Sequence, residues 1–308
     1  MGYEKFVESV REVVASFCGA EVTVMVTRVQ KNNGVCKIGL MMKNTDSNIA
    51  PTVYLEDFYQ EFQKGKSVSE IARVIAKVYK QNKTPAGFRI EEFKNFDQVK
   101  DKIVYRIINR DKNQELLKES PYLGFLDLAV VPYAVFPVEE GNSGTVLIKK
   151  EHLELWGITE EEILSIASEN TPKMLQPRIR KMEDTLRELF EVNHIEQEQE
   201  VELFLKDLEN NREKVPMYVL TNQRNLYGAA CMLYQGVIEM FTEQIEEDVY
   251  ILPSSIHEVL LIPASKVIEA NELVSMVQEI NATQVPVEEV LSDNVYRYSM
   301  AERGFCIV

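Results

Sequence analysis

An Asn-Gly turn between two segments rich in β-branched residues constrains the fold of this chain most strongly. The turn lies in Lys31–Gly34, after Glu21–Val29 and before Val35–Met42. Asparagine and glycine tolerate the positive φ angles that a tight hairpin turn requires. The sequence therefore predicts a β-hairpin, and apolar residues at helical spacing in Tyr3–Phe17 predict an amphipathic helix before it.

Two further helix starts carry the capping-box pattern, in which a Ser or Thr and a Glu three residues later satisfy each other's backbone N–H groups. Ser67 and Glu70 form the first pattern, and Thr159 and Glu162 form the second. The buried face of the helix that follows Ser67 is predicted to carry Ile71, Val74, Ile75 and Val78.

Strand patterns recur later in the chain. Phe125–Val138 is the most apolar segment, which predicts a strand at the centre of a sheet. Val249–Leu252 and Glu258–Ile262 are predicted to pair as strands. A helix is predicted over Pro177–Phe190, because proline at the first helical position loses no hydrogen bond.

These patterns predict an α+β fold. An N-terminal helix, β-hairpin and helix are expected first, followed by a mixed β-sheet with packed helices. We expect an N-terminal lobe over residues 1–120 and a C-terminal lobe over residues 121–308. The second lobe is expected to contain an acidic helical linker near residues 191–214, where glutamates cluster.

Composition excludes several classes of protein. Hydrophobic residues make up 45% of the chain and charged residues 27%, which is typical of a globular protein rather than a disordered one. No apolar stretch approaches the roughly 20 residues that a membrane span needs. Acidic residues at Glu4, Glu8 and Glu12 interrupt any signal-peptide core, so a cytoplasmic location is expected.

Negative charge is concentrated in the later part of the chain. Residues 1–120 carry 20 Lys and Arg against 16 Asp and Glu, whereas residues 121–308 carry 14 against 33, giving net charges of +4 and −19. Such a balance argues against nucleic-acid binding, which needs clustered cations. It fits a solvated surface that keeps the protein soluble, an acidic face that docks a basic protein partner, or an imitation of nucleic acid.

Motifs for cofactors are absent from the sequence. The loop Gly141–Gly144 lacks the Lys-Ser/Thr pair of a phosphate-binding loop, and a hairpin turn explains it. The three histidines, His152, His194 and His257, occur without the spacing of a metal site. We therefore expect no cofactor and no bound metal.

Two late segments form the candidate binding corner. The first follows a predicted strand and starts a helix of small residues, with Asn225 as its N-cap, and its N–H groups and Arg224 are suited to an anion. The second combines serines, an imidazole and a carboxylate, a set that suits a hydrolase. The same residues also have a structural explanation, in which the first segment is a polar loop and the serine hydroxyls satisfy the backbone of a turn. Neighbours on a strand point to opposite faces, so His257 and Glu258 would not share one side. The candidate residues are Asn222, Arg224, Asn225, Tyr227, Ser254, Ser255, His257 and Glu258.

The same region carries a resemblance to a known family. The segments that carry it are Met217–Asn222, Gly228–Tyr234 and Leu252–Val259, with weaker blocks at Leu126–Pro132 and His152–Gly157. They resemble the domain-of-unknown-function family five-six-eight-eight, which is common in gut clostridia. The resemblance implies a bacterial cytosolic protein folded as a single unit. It implies no activity, so it transfers no functional residue.

Three functions are expected from these observations. The first is a non-enzymatic cytosolic binding or regulatory protein that uses its acidic surface. The second is a hydrolase or small-ligand-binding enzyme at the candidate corner. The third is an acidic mimic of nucleic acid, which requires carboxylates at regular intervals along one surface.

Overall fold

The computed structural model describes residues 1–19, 21–44, 52–81, 90–137, 143–192, 216–253, 255–267 and 269–308. The chain packs into two compact units, one of residues 1–102 and 134–146 and one of residues 103–133 and 147–308. The domain boundary predicted after residue 120 remains a prediction, because dense packing does not test independent folding. Of the predicted linker, residues 193–214 lie outside the described ranges.

The smaller unit contains a three-stranded sheet in the order β1-β2-β3. Up to residue 99, its elements are α1 Tyr3–Cys18, β1 Val22–Gln30, β2 Cys36–Asn44, β3 Thr52–Tyr54, α2 Glu56–Gln63, α3 Val68–Gln81, α4 Ile90–Lys94 and α5 Phe96–Val99. The predicted hairpin is confirmed, since β1 and β2 pair antiparallel and end at Gln30 opposite Cys36. Asn33 and Gly34 have φ angles of 58° and 70°, the left-handed conformation expected of the turn.

One face of α3 is buried, but it is not quite the predicted face. Ile71 and Ile75 are fully buried, whereas Val74 is 44% exposed. Ala72 and Tyr79 complete the buried side instead. Val74 was predicted to be buried because it is apolar and lies at helical spacing. The rotation of a helix about its axis is set by the elements that it packs against, and a small residue such as Ala72 permits closer approach.

Both predicted capping boxes form. The Ser67 N–H donates to Glu70 Oε2 at 2.9 Å, and the Glu70 N–H donates to Ser67 Oγ at 3.3 Å. The Thr159 N–H donates to Glu162 Oε2 at 2.7 Å, and the Glu162 N–H donates to Thr159 Oγ1 at 3.2 Å. Each pair satisfies N–H groups that the first helical turn leaves without intrahelical partners.

Strands and helices alternate after residue 102, where all residues except 134–146 belong to the larger unit, so the α+β class is confirmed. From residue 103 onward the elements are β4 Ile103–Asn109, α6 Gln114–Glu119, β5 Leu123–Phe125, β6 Leu128–Pro137, β7 Ser143–Leu147, α7 Lys150–Trp156, α8 Glu160–Met174, β8 Pro177–Lys181, α9 Met182–Val192, β9 Tyr218–Asn222, α10 Val237–Ile245, β10 Val249–Leu252, β11 Val259–Pro263, α11 Ala270–Thr283, β12 Tyr296–Ser299 and β13 Gly304–Ile307. Strand β6 lies between β4 and β5, as its apolar sequence predicted.

A six-stranded sheet in the order β13-β12-β10-β11-β9-β8 is the frame of the larger unit. Its neighbouring strands all pair antiparallel. Val219 is paired with Leu260 on one side and with Arg180 on the other, so these three side chains share one face. Val277 of α11 packs against Leu252 on this sheet.

The helix predicted over Pro177–Phe190 was wrong in its first five residues. Pro177–Lys181 form β8, an edge strand paired with β9, and the helix begins only at Met182. Proline lacks an N–H, which an edge strand tolerates at its first residue as readily as a helix does at its first turn. The local sequence was therefore ambiguous, and pairing with β9 decided between the two.

No helix in the described part of the chain is long and apolar enough to cross a membrane.

Candidate functional site

The structure brings the two late segments into contact. The first runs from the end of β9 into a 3-10 helix at Gly228–Leu233, and the second is the connection between β10 and β11. Thr221 Oγ1 donates to the carbonyl oxygen of His257 at 2.8 Å. The Ala229 N–H donates to the carbonyl oxygen of Ile256 at 3.3 Å. Residues 27 and 36 positions apart in sequence therefore form one corner of the larger unit.

Gly228 makes this close approach possible. A Cβ atom at this position would lie 2.5 Å from the carbonyl oxygen of His257 and 2.8 Å from the backbone nitrogen of Asn222. It would also overlap the hydroxyl of Thr221. Both backbone contacts are closer than a side-chain carbon tolerates, so a residue without a side chain is needed where the two segments meet.

Asn222 organises the loop after β9. Its side-chain oxygen accepts the N–H groups of Arg224 at 3.0 Å and Leu226 at 3.2 Å, and its amide donates to the Leu226 carbonyl at 2.8 Å. Asn225 has a φ of 51° and caps no helix, so the predicted N-cap was wrong. The helix begins later, at Gly228, because Asn222 holds the intervening residues in a turn. The side chain of Arg224 is exposed.

The serine and histidine of the second segment do not form a nucleophile and base pair. Ser255 Oγ donates to Glu258 Oε1 at 2.9 Å and accepts the backbone N–H of His257 at 3.0 Å. The imidazole Nδ1 of His257 accepts the N–H of Tyr227 at 3.4 Å. The hydroxyl of Ser255 and the imidazole are therefore engaged with different groups. Ser254 lies outside the described residues.

The ring of Tyr227 is the centre of a cluster that the sequence reasoning missed. The His257 ring stacks on it at 5.6 Å with 15° between the planes, and the Tyr133 ring meets it edge-on at 5.1 Å. The guanidinium carbon of Arg106 lies 4.8 Å from its centroid. One sequence signal could have drawn attention to Arg106, since a single charge interrupts the apolar strand Ile103–Ile108.

A groove opens beside the corner on the face of the sheet that carries Val219 and Leu260. Its volume is about 670 Å³, within the range of small-ligand sites. Thr221, Gln223, Asn225 and Glu258 line one side, so part of the predicted set does face a cavity. The other lining residues, which the sequence reasoning missed, are Arg178, Arg180, Met182, Thr185, Leu186 and Glu188.

Two arginines share one carboxylate in this groove. Arg180 Nη1 contacts Glu188 Oε2, and Arg178 Nη2 lies 3.8 Å from the same oxygen. Arg178 Nε is buried without a hydrogen-bond partner. Their alternation on β8, two residues apart, places both guanidiniums on the same side of the sheet. Pro177–Lys181 was predicted to be helical, so the sequence offered no reason to expect Arg178 and Arg180 on one face.

No group of three or more His, Cys, Asp or Glu side chains in the described ranges could hold a metal ion.

Comparison with known proteins places the chain in a family. The sequence profile of a family of unknown function, DUF5688, matches residues 3–300. This chain belongs to DUF5688. The suspected resemblance is thereby confirmed, and the match extends over the smaller unit as well as the corner that suggested it. No curated protein and no solved structure matches this DUF5688 chain.

Proposed function

We propose that this chain is a non-enzymatic binding protein of the bacterial cytoplasm that holds a small organic anion in the groove beside the corner. The observation that supports this proposal is the meeting of Arg178 and Arg180 on a single carboxylate, Glu188. Two guanidiniums and one carboxylate leave one positive charge at this end of the groove. The unpartnered Nε of Arg178 is a further donor for a carboxylate, sulfonate or phosphate group.

The floor of the groove favours a ligand with an apolar body. Val219 and Leu260 come from the sheet, and Met182 and Leu186 come from α9. Removing apolar ligand surface from water supplies affinity, and the polar groups at the ends orient the ligand. At the corner end, Gln223 and Asn225 supply neutral amide groups, and the Glu258 carboxylate accepts a hydrogen bond from Ser255. The chemistry therefore fits an amphipathic organic anion better than a sugar or a cation.

Anilinonaphthalenesulfonate is a suitable probe, because it combines an aromatic body with one sulfonate. We expect saturable fluorescence enhancement with the native protein. Replacing both Arg178→Gln and Arg180→Gln is expected to raise the dissociation constant about tenfold, since charge-assisted hydrogen bonds are lost. Glu188→Gln is expected to lower it, because both guanidiniums then turn to the ligand.

Lys173→Gln supplies the matched control, since it removes one positive charge from an exposed position on α8 outside the groove. Equal affinity in the control and the double variant would contradict the proposal. So would dye binding that persists unchanged in all four proteins, which would assign the signal to another apolar surface.

A hydrolase at the corner is the alternative enzyme function. Ser255 donates to Glu258 instead of to His257, which argues for binding rather than nucleophilic attack by this serine. Turnover of a nitrophenyl ester that is lost in both Ser255→Ala and His257→Gln would favour the enzyme. Turnover that survives either change would exclude this pair.

A second candidate function is docking of a basic partner on the acidic surface. Glu239, Glu243 and Glu246 lie on one side of α10 and its C-terminal end. Within the described residues, no Lys or Arg forms an ion pair with these three glutamates. Met240 beside them is 62% exposed, so the surface suits a basic segment with an apolar side chain.

Salt and charge reversal test this second candidate. A captured partner would support this candidate if it dissociates as the salt concentration rises and does not bind the double variant Glu239→Lys, Glu243→Lys. Salt-independent capture would contradict it. Displacement of the partner by double-stranded DNA would instead favour the nucleic-acid mimic, since both would then compete for the same basic surface.

A further inference from the structure

Arg106 is an uncompensated cation in a largely buried setting. Its neighbours along β4 are all buried, and its own side chain is partly buried. Its Nε is buried and has no hydrogen-bond partner. Among the described residues no carboxylate forms an ion pair with it, and its guanidinium carbon lies 4.8 Å from the centroid of the Tyr227 ring. A guanidinium in such a place normally pairs with an anion.

Tyr133 provides a second unpaired donor beside this cation. Its side chain is 1% exposed, yet its hydroxyl has no hydrogen-bond partner in the part of the chain that the structure describes. Burial raises the pKa of Tyr133, with Tyr227 adding to the effect and the guanidinium of Arg106 opposing it. The hydroxyl therefore keeps its proton at neutral pH and is a donor. Both side chains contact the same ring, that of Tyr227.

His257 adds a third donor from the other side of the corner. Its Nδ1 accepts the N–H of Tyr227, so the proton of the neutral ring is on Nε2. No residue in the described part of the chain accepts a hydrogen bond from that Nε2. The imidazole is partly buried and nearly parallel to the Tyr227 ring.

We infer that Arg106, Tyr133 and His257 bind a small oxyanion, a carboxylate or phosphate group, around the ring of Tyr227. The guanidinium carbon of Arg106 and the ring centroids of Tyr133 and His257 lie 4.8, 5.1 and 5.6 Å from the centroid of the Tyr227 ring. They offer one positive charge and three hydrogen-bond donors, which favours an anion over a cation or a neutral amide. None of them lines the groove proposed above, so this second site does not rest on the proposed function.

Titration with inorganic phosphate, followed by the imidazole proton resonances, tests the inference directly. The chain has three histidines, and the His257 signal is assigned by its absence in His257→Gln. We expect a saturable shift of this signal with phosphate and none with sodium chloride at equal ionic strength. Acetate is the second arm, and a shift with only one of the two anions identifies the headgroup that the site prefers.

Two variants separate binding from folding. Arg106→Gln is expected to raise the dissociation constant about tenfold or more, because the charge is lost. Tyr133→Phe removes a hydroxyl that no protein group uses, so it is expected to weaken binding without altering the fold. Arg110→Gln, at an exposed position after the same strand, is the matched control and should bind as the native chain does.

The inference is overturned if native His257 shows no saturable shift with either anion. It is equally overturned if folded Tyr133→Phe and Arg106→Gln retain native affinity. Because anilinonaphthalenesulfonate binding reports on Arg178 and Arg180, failure of this site and failure of the groove are distinguishable.

Discussion

Two buried tyrosines in the larger unit differ in the hydrogen bonding of their hydroxyl groups. Tyr296 is fully buried and its hydroxyl donates to Asp127 Oδ1 at 2.7 Å. Ser292 and Asn294 donate to the other oxygen of Asp127 at 2.6 and 3.0 Å. Tyr133 is equally buried, but no described residue accepts a hydrogen bond from its hydroxyl, and no carboxylate in the described ranges pairs with Arg106.

This difference separates a structural polar network from a candidate binding site. Around Asp127, side chains of the chain itself satisfy one another, so the network stabilises the fold. Around Tyr227, Arg106 Nε and the Tyr133 hydroxyl are removed from water, and no acceptor in the described part of the chain takes its place. Buried polar groups are nearly always hydrogen-bonded, so the donors around Tyr227 support the anion site proposed above.

Removing the acceptor at the structural network should have the largest effect. Asp127→Ala leaves the buried hydroxyls of Ser292 and Tyr296 without their acceptor. Each stranded donor costs on the order of 1–3 kcal/mol, so we expect a loss of about 4 kcal/mol in the free energy of unfolding. Urea unfolding followed by circular dichroism measures it. A loss below about 1 kcal/mol would show that the network is not structural.

The contact between the two corner segments should be nearly as sensitive. Gly228→Ala places a carbon 2.5 Å from the His257 carbonyl oxygen, and the backbone must move to relieve the overlap. We expect a loss of about 3 kcal/mol together with weaker phosphate binding, because His257 shifts away from Tyr227. Gly2→Ala, where the added carbon meets nothing within 4 Å, is the control for the same chemical change.

The two tyrosines themselves provide the sharpest comparison. Tyr296→Phe removes a hydrogen bond to a carboxylate, so we expect the free energy of unfolding to fall by about 2 kcal/mol. The same urea experiment measures this loss. Equal stability of Tyr296→Phe and the native protein would remove the basis for contrasting the two clusters.

Tyr133→Phe should have the smallest effect on stability. Its hydroxyl forms no hydrogen bond in the chain, so unfolding in the absence of added anion should change by less than about 0.5 kcal/mol. In the presence of phosphate, the native protein should gain stability that this variant lacks, because a ligand of the folded state stabilises it by mass action. A large loss without anion would indicate an acceptor within the chain.

Local chemistry made several elements predictable. The Asn33-Gly34 turn, the two capping boxes and the apolar strand β6 each depend on residues close in sequence, and each forms as expected. The two late segments were predicted as one candidate corner, and Asn225 and Glu258 of that set line the groove. Arg178 and Arg180 were missed because their strand had the appearance of a helix start.

What the sequence determined by itself was the α+β class and the short-range signals for turns and caps, because backbone preferences act over a few residues. Only the tertiary structure decided that Pro177–Lys181 is an edge strand, since the pairing partner β9 lies some forty residues away. It alone also brought Arg106, Tyr133, Tyr227 and His257 around one ring. Such a cluster depends on the packing of distant strands and loops, which no local pattern encodes.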